Sequence, residues 1–372
     1  MKLTFASGNM AIAEAAMTAG LRVYAGYPIT PSSDIMEYLA EHLPKRGGIV
    51  IQMEDEIASI NTIIGASWAG AKAMTATSGP GFSLMAEGIG LAVMTETPIV
   101  VVNVMRAGPS TGVPTKTTQA DVFQVRWPAH GDYVIPSYAP WSVQEAYDLT
   151  IKAFNTAEKL RTPVILLSDA VIAHLWEPLR IYERGEVEIV ERKKPSSREG
   201  YKPYMPDDDL IPPMAVFGEG FRVLAESLTH DERGYYAPST QYHKNTALRL
   251  TSKIIKHLDF VFEQEEYMLD DAEVALVSYG STARSTYAAM RELRRKGVRA
   301  GLLRLKTLWP LNEEKILNSV KAKRVIVVEN NIGKLYLDMK RIFRDREVYP
   351  APVINLELPT VREVLEAVEP WL

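Results

Sequence analysis

Four short segments in the first third of the chain combine residue types that could bind and act on a small anionic molecule. The first, 26–33, reads Gly-Tyr-Pro-Ile-Thr-Pro-Ser-Ser, so two prolines stiffen a turn and hydroxyl groups precede a predicted helix. Because the first amides of a helix lack partners and its dipole is positive at that end, such a turn favours an anion. The same pattern is typical of an ordinary capped helix start, and both interpretations remain open.

The second segment holds three consecutive carboxylates, Glu54, Asp55 and Glu56, between an apolar strand and a very apolar helix. Acids in the first turn of a helix oppose its dipole, so a solvated helix start is the ordinary explanation. An acid at the mouth of so apolar a helix is nevertheless liable to burial, which is costly without a hydrogen-bonding partner. The pattern therefore leaves a solvated first turn and a buried acid as alternatives.

Two glycine-containing loops complete the set. Residues 77–81, Thr-Ser-Gly-Pro-Gly, join a strand to a helix, and their glycines permit close approach of the backbone, which alone is a weak signal of a ligand. The loop 106–115 leaves the most clearly buried strand, and ligands of open α/β sheets bind at such strand ends. Arg106 at its start can hold a carboxylate through two hydrogen bonds. The alternative is a surface loop with an unpaired arginine.

The elements that carry these segments predict an α/β fold. Short apolar runs indicate strands, and the β-branched ones indicate burial on both faces of a parallel sheet: 21–24, 49–53, 72–75, 99–104 and 163–167. Helical patterns lie between them, at 9–20, 31–43, 55–68, 83–94 and 143–160. We expect Asn9 to cap the first helix and Gly20 to follow its end. This alternation is typical of an open α/β domain.

A second α/β region is predicted after a break in the pattern. The charged, alternating stretch 183–194 predicts a hairpin arm, and five prolines then fall between Pro195 and Pro213. A helix is expected at 246–264, after which strands and helices alternate at 274–278, 283–296, 300–305, 312–320 and 324–329. We accordingly divide the chain into a first domain at 1–180, a linker with an arm and a helix at 181–267, and a smaller domain at 268–372.

Composition excludes several classes of protein. The 372 residues include no cysteine, which excludes a disulfide scaffold, a thiol nucleophile and a cysteine-ligated cluster on this chain. A formal charge of −4 gives no general attraction for nucleic acid or anionic lipid. The six histidines show no metal-ligand spacing, and dinucleotide-binding, P-loop and nucleophile-elbow motifs are absent. With no signal-like or membrane-spanning stretch, we expect a cytoplasmic protein.

In order along the chain, these segments resemble the α subunit of 2-oxoacid:ferredoxin oxidoreductases, most closely the 2-oxoglutarate type. The resemblance rests on the turn 27–31, on Glu56 followed by Ala58 and Gly65, on the loop 77–81, and on Arg106 with 108–112. It covers nearly the whole chain, and 274–330 is similar to a transketolase C-terminal-like domain. The fold implied is a thiamine diphosphate-binding fold of the pyrimidine type, followed by that second α/β domain.

The resemblance also implies an activity. Enzymes of this family decarboxylate a 2-oxoacid with thiamine diphosphate, pass the acyl group to coenzyme A and send electrons to ferredoxin. For the 2-oxoglutarate type, the product is succinyl-CoA. Glu56 matches the activating glutamate of the family, whose carboxyl group bonds to ring nitrogen N1′ of the aminopyrimidine and favours the imino tautomer that takes the thiazolium proton.

Other positions are given substrate or cofactor roles by the same resemblance. Thr30 and Arg106 match the positions that meet the substrate carboxylate, a sensible pairing of a hydroxyl with a guanidinium. Further polar groups on the substrate side are Ser110 and Thr111. The positions expected to line the cofactor, together with Glu56, are Tyr27, Pro28, Ile29, Ser78 and Gly79.

The pattern that binds Mg²⁺ and the diphosphate in thiamine enzymes, Gly-Asp-Gly followed by Asn, is absent, so the resemblance implies half of a site. A β subunit would share thiamine diphosphate and supply Mg²⁺ and an iron–sulfur cluster, with γ and ferredoxin-like δ subunits as further partners. No metal ligand is assigned to this chain, and neither nucleic acid nor a membrane is expected as a partner. The alternatives are a non-catalytic structural or regulatory subunit, a self-contained carboligase or decarboxylase, and a pyruvate or branched-chain 2-oxoacid enzyme.

Overall fold

The computed structural model of the protein describes residues 2–372. Its strands are β1 Lys2–Ser7, β2 Leu21–Gly26, β3 Ile49–Gln52, β4 Lys72–Thr77, β5 Ile99–Met105, β6 Ser137–Tyr138, β7 Pro163–Asp169, β8 Trp176–Ile181, β9 Gln264–Tyr267, β10 Val274–Tyr279, β11 Ala300–Leu305, β12 Thr307–Trp309, β13 Arg324–Glu329 and β14 Glu347–Pro352. Its helices are α1 Gly8–Thr18, α2 Ser33–His42, α3 Glu56–Trp68, α4 Gly79–Leu84, α5 Ala86–Met94, α6 Val122–Arg126, α7 Val143–Leu160, α8 Ala170–His174, α9 Thr240–Lys256, α10 Leu258–Val261, α11 Thr282–Arg295, α12 Glu313–Ser319, α13 Lys334–Ile342 and α14 Val361–Val368.

The larger sheet has seven strands in the order β12-β6-β7-β5-β4-β2-β3. Strands β4, β5 and β7 are buried along their whole length, as their apolar runs predict. Strand β3 differs, because as the last strand of the sheet it has a strand neighbour on one side only. Ile49 and Ile51 on it are 56% and 38% exposed, so the expectation of burial on both faces is wrong for this strand.

The strand order brings the four segments singled out by the sequence to one edge of the sheet. Strands β3, β2, β4 and β5 are consecutive neighbours and all run parallel, so their carboxyl ends lie side by side. The turn at 27–32 follows β2, and α3 with Glu56 follows β3. Helix α4 follows β4, and the loop that begins at Arg106 follows β5. This is the edge at which ligands of open α/β sheets bind.

Helices cover both faces of this sheet. Helices α1 and α7 pack together against the face that carries Val100 and Val102 of β5. Helices α3 and α5 pack against the opposite face, which carries Val101. The sheet is therefore the middle layer of a three-layer α/β unit. Within residues 2–372, no helix combines the length and apolar character that a bilayer span requires.

The C-terminal region forms a second sheet in the order β14-β13-β10-β11-β9. Strands β10, β11, β13 and β14 are parallel, and β9 runs antiparallel to β11. Strand β12 from the same region instead pairs with β6 at the edge of the larger sheet, which joins the two units. The domain boundaries at 180/181 and 267/268 stay predictions.

The start of the first helix corrects one prediction. Ser7, not Asn9, is the N-cap: its Oγ accepts a hydrogen bond from the amide of Met10 at 3.2 Å. Asn9 lies inside α1, fully buried, and its Nδ2 donates to the main-chain oxygen of Pro31 at 2.8 Å. Serine and asparagine are equally good caps, so local sequence could not choose between them. Gly20 follows the helix end with φ +93°, as predicted.

Other element boundaries also differ from the predictions. The helix predicted at 83–94 is two helices, α4 and α5, separated at Met85. The helix predicted at 246–264 begins earlier, at Thr240 with Ser239 as its cap, and its predicted last turns form α10 and the start of β9. Boundaries of this kind depend on caps and on strand partners that are distant in sequence.

Residues 183–194 do not form the predicted hairpin arm, and no strand is assigned within them. Arg192 in this segment is buried and donates from Nε and Nη2 to the Glu158 carboxylate, both at 2.8 Å. Asn155 anchors the same segment by donating from Nδ2 to the Glu188 carbonyl and accepting from the Val190 amide. The apolar half of the alternating pattern packs on the core of the first unit, so the alternation reflects a half-buried extended segment and not a strand pair.

Candidate active site

The three consecutive acids at the start of α3, residues 54–56, occupy three different environments. Glu54 is exposed, and Asp55 caps the helix by accepting from the amide of Ala58 at 2.7 Å. Glu56 is the first residue of α3 and is 4% exposed. Burial raises the pKa of Glu56, and the charge of Asp55 raises it further, while its own amide and Arg106 act in the opposite direction. Both sequence interpretations therefore apply, the helix-start acid to Asp55 and the buried acid to Glu56.

Gly81 allows the backbone of α4 to approach the Glu56 carboxyl group directly. A Cβ atom at this position would lie 2.3 Å from Oε1 of Glu56 and 2.1 Å from Oγ1 of Thr77. A side chain there would force one of these two groups to move, since real Cβ atoms do not approach other atoms so closely. The close approach expected of the 77–81 loop is thus present, and its partner within the chain is the Glu56 carboxyl group.

Arg106 links the loop after β5 to the turn after β2. Its Nη1 donates a hydrogen bond to the main-chain oxygen of Thr30 at 2.8 Å. Arg106 is 7% exposed, and burial lowers the pKa of its guanidinium, with Asp121 and Glu56 as the nearby charges that oppose this effect. Arg106 and Thr30, paired by the sequence argument, are therefore neighbours.

Several buried polar atoms at this edge lack a partner within residues 2–372. They are Oγ of Ser78, Oδ1 of Asn103 and Nε of Arg106. Buried polar groups in native proteins are nearly always hydrogen-bonded, and those that are not indicate a ligand, a water molecule or an ion. Because these atoms follow or lie on β4 and β5, they point to a polar ligand at the adjoining ends of those two strands.

A cavity of about 370 Å³ opens beside Arg106. Its walls include Gly79, Ser110, Asp121 and Lys334. The sequence argument gave no role to Asp121, whose Oδ2 accepts a hydrogen bond from Nδ2 of Asn103 at 3.1 Å. Burial raises the pKa of Asp121, and the hydrogen bond from Asn103 and the charges of Lys334 and Arg106 oppose that shift. The only sequence feature that could have indicated Asp121 is its place in the loop after the most apolar strand, β5.

The remaining candidate residues are more exposed than Glu56 and Arg106. Tyr27 and Pro28 are exposed on the turn after β2, and Ile29 is half-buried. The Thr30 side chain is exposed, so its contact with Arg106 is made by the main chain alone. Thr111 is exposed and does not line the cavity, whereas Ser110 does. The structure thus gathers Glu56, Ser78, Gly79, Arg106 and Ser110, and the roles of all the candidates stay predictions.

The C-terminal sheet anchors the loop that carries Arg106. The amide of Gln119 donates to the main-chain oxygen of Asn330 at 3.0 Å, and Nδ2 of Asn331 donates to the Gln119 carbonyl at 2.8 Å. Lys334 donates from Nζ to the carbonyl of Ala120. The side chain of Gln119 contacts the Asp169 carboxylate and the Tyr279 carbonyl, both at 3.3 Å. Sequence reasoning missed Asn330, Asn331 and Lys334 because they follow β13, far from the loop along the chain.

In the part of the chain that the structure describes, no group of three or more His, Asp or Glu side chains is arranged to hold a metal ion.

Family models match two parts of the chain. The model "Pyruvate flavodoxin/ferredoxin oxidoreductase, thiamine diP-bdg" matches residues 14–247, and "Pyruvate:ferredoxin oxidoreductase core domain II" matches 272–356. A curated relative, the 2-oxoglutarate synthase subunit KorA of Methanocaldococcus jannaschii, is 50% identical over 99% of this chain and 100% of its own length.

Two solved structures are similar. The 2-oxoglutarate:ferredoxin oxidoreductase from Magnetococcus marinus, solved with 2-oxoglutarate, coenzyme A and succinyl-CoA bound, aligns with a TM-score of 0.93 and 34% identity. The alignment covers 99% of this chain but 65% of that chain. A split-gene transketolase, an inactive β4 tetramer, aligns with a TM-score of 0.55 at 12% identity over 98% of this chain and 96% of that one, a likeness of fold alone. The predicted α/β fold of the thiamine diphosphate-binding and transketolase-like type is confirmed.

Proposed function

The chain belongs to the 2-oxoacid:ferredoxin oxidoreductase family, and from this premise we propose that it is the α subunit of a 2-oxoglutarate:ferredoxin oxidoreductase. The reaction is the coenzyme A-dependent oxidative decarboxylation of 2-oxoglutarate to succinyl-CoA, with ferredoxin as the electron acceptor. The M. jannaschii relative and the ligands of the M. marinus structure support this substrate. The observation that carries the proposal is a buried carboxyl group, Glu56, near a buried guanidinium, Arg106, at one sheet edge.

Thiamine diphosphate, when bound, supplies the electron sink that a 2-oxoacid needs in order to lose carbon dioxide. Glu56, Ser78 and Gly79 fit its pyrimidine side, because a buried acid, an unpartnered buried hydroxyl and an open backbone lie together there. Mg²⁺, the diphosphate contacts and the iron–sulfur clusters would come from a β subunit and further partner chains. The absence of cysteine and of a Gly-Asp-Gly…Asn pattern in this sequence supports that division.

Glu56 would hold the ring through its carboxyl group. Because burial raises its pKa, this acid keeps a proton to a higher pH than an exposed glutamate does. A carboxyl group poised in this way can share a proton with a basic ring nitrogen. Gly81 leaves no side chain that could push the carboxyl group aside, and Asp55 fixes the start of the helix that carries it.

Arg106 would bind the carboxylate next to the oxo group of the substrate. One of its nitrogens is held by the Thr30 carbonyl, so the plane of the guanidinium is fixed and other N–H groups remain for the substrate. A guanidinium that is already desolvated forms a stronger pair with an anion than one in water. Ser110, at the cavity wall, is placed to add a further polar contact.

The test compares two neighbouring acids in the assembled enzyme. The tagged chain is purified anaerobically from its native cell, and the complex is assayed for partner chains, iron, thiamine diphosphate and ferredoxin reduction with 2-oxoglutarate and coenzyme A. Glu56→Gln should leave the subunits assembled and abolish most of the activity. Glu54→Gln, which removes an exposed acid two residues away, is the matched control and should leave the activity near wild type.

Two results would overturn the proposal. One is a complex without thiamine diphosphate that reduces no ferredoxin with any 2-oxoacid, which is the behaviour expected of a structural subunit. The other is full activity in an assembled Glu56→Gln enzyme, since the acid would then serve only the helix start.

A further inference from the structure

Lys334 places a second cation at the cavity that Arg106 lines. Arg106 follows β5 of the larger sheet, whereas Lys334 is the first residue of α13 in the C-terminal region. The two side chains therefore approach the same space from different units of the fold. In the function proposed above, Arg106 binds one substrate carboxylate and Lys334 has no role.

The hydrogen bonds of Lys334 leave donors available. Its Nζ donates to the main-chain oxygen of Ala120, and an ammonium group has three N–H donors. Within residues 2–372, no carboxylate forms an ion pair with this ammonium group, although the charge of Asp121 acts on it from nearby. Asp121 itself accepts a hydrogen bond from Asn103 on β5. The side chain of Lys334 is half-buried, so its charge is only partly solvated.

The charges around the cavity therefore favour a ligand with more than one negative group. Arg106 faces both Asp121 and Glu56, and burial raises the pKa of both acids, so each keeps its proton to a higher pH than an exposed acid does. An apolar substrate tail would bury the Lys334 ammonium group further and would bring no negative charge of its own, which is unfavourable. An anionic tail would pair with it through a charge-assisted hydrogen bond.

We propose that Lys334 binds the distal carboxylate of a dicarboxylic 2-oxoacid while Arg106 binds the carboxylate next to the oxo group. This inference rests on the proposed function and names the residue of this chain that selects the substrate class. Lys334 thereby distinguishes dicarboxylic from monocarboxylic 2-oxoacids, because only a dicarboxylic acid can pair with both Arg106 and Lys334. A site that offers a charged partner to one substrate discriminates strongly against an analogue that lacks the matching group.

The competing explanation is that Lys334 only anchors the loop, through the Ala120 carbonyl. In that case its loss would displace Asp121 and Arg106 and would weaken every 2-oxoacid alike. A second competitor is a phosphate group of coenzyme A, which offers the same anionic chemistry. The experiment must separate both explanations from the proposed one.

The experiment measures kcat/KM for 2-oxoglutarate and for 2-oxovalerate, in which a methyl group replaces the distal carboxylate, together with KM for coenzyme A. The purified complex carries Lys334→Met. We expect kcat/KM to fall about 10- to 100-fold for 2-oxoglutarate, the effect of one lost charged hydrogen bond, and to change little for 2-oxovalerate. Lys334→Arg should restore part of the loss. Lys340→Met removes an exposed lysine of the same helix and should leave both substrates unaffected.

Each contrary result has its own meaning. An equal fall for both substrates would show a loop anchor, and a rise in KM for coenzyme A alone would show a phosphate contact; either overturns the inference. Unchanged kinetics in Lys334→Met would overturn it as well. A wild-type complex that turns over no 2-oxoacid overturns the proposed function and this inference together, whereas the variant results affect the inference alone.

Discussion

The main chain at Gly81 lies so close to the Glu56 carboxyl group that a Cβ on Gly81 would be 2.3 Å from Oε1 of Glu56. The two residues belong to different helices, α4 and α3, which follow β4 and β3, the strands on either side of β2 in the parallel set. The position of the buried carboxyl group is thus set by the backbone of α4 as well as by its own helix. This makes Gly81 a positioning residue for Glu56.

Gly81→Ala should therefore move the Glu56 carboxyl group without removing it. We expect the subunits to assemble and the 2-oxoacid-dependent reduction of ferredoxin to fall about 100-fold, which a displacement of roughly 1 Å can cause. Gly65→Ala is the control, since a Cβ at Gly65 of α3 would meet nothing within 4 Å. That control should retain activity and gain up to about 1 kcal/mol of helix stability. Equal activity in the two variants would contradict the positioning role.

The sequence predicted the parts of the fold that depend on local patterns. Strand β11 and helix α7 match their predicted ranges, because each is a long apolar or amphipathic run with clear ends. The short strands β6 and β12 were missed, since each has three residues or fewer; β12 pairs only with β6, and β6 pairs with β12 and with β7. Pairing between distant residues leaves no periodic signal in the sequence.

The site was predicted to a similar extent and for a similar reason. Glu56, Ser78 and Arg106 were identified from the sequence, and they follow β3, β4 and β5, parallel strands whose carboxyl ends lie at one edge of the sheet. The residues that fix the loop, Asn331 and Lys334, follow a strand of the other sheet. Their contribution depends on how the two units pack, which no local pattern encodes.

Arg106→Lys tests the substrate carboxylate site. The variant keeps the positive charge but loses the planar fork, so its tetrahedral ammonium group cannot present two parallel, coplanar N–H groups to a carboxylate while it donates to the Thr30 carbonyl. We expect kcat/KM to fall about 100-fold for monocarboxylic and dicarboxylic 2-oxoacids alike, with thiamine diphosphate content unchanged. Steady-state kinetics with both substrate classes check this, and a loss confined to 2-oxoglutarate would contradict the assignment.

Glu56→Gln should also change how stability depends on pH. Burial raises the pKa of Glu56 in the folded chain, so rising pH ionises the unfolded chain first and favours unfolding between the ordinary glutamate pKa and the raised one. This penalty is absent below the ordinary value and complete above the raised one. The cofactor-depleted Glu56→Gln complex should therefore have a higher thermal midpoint than the wild type at pH 8, and the difference should vanish near pH 4. A lower midpoint at pH 8 would indicate that the carboxylate stabilises the fold.

Glu96→Gln should cause the largest loss of stability among these variants. Glu96 is fully buried, and its carboxylate pairs with Arg249 at 2.6 Å and with Lys253 at 2.8 Å, which joins α9 to the end of α5. Burial alone would raise the pKa of Glu96, but these two cations outweigh it and hold the pKa well below its usual range. Removing the anion leaves buried cations uncompensated, which should lower the free energy of unfolding by about 3–5 kcal/mol. The control is Glu41→Gln, which removes an exposed pair with Lys45 and should cost less than about 1 kcal/mol. Thermal denaturation of the complexes measures both, and the effect of Glu96→Gln should shrink as the pH falls below the ordinary glutamate pKa, because the stabilising ionisation is then lost.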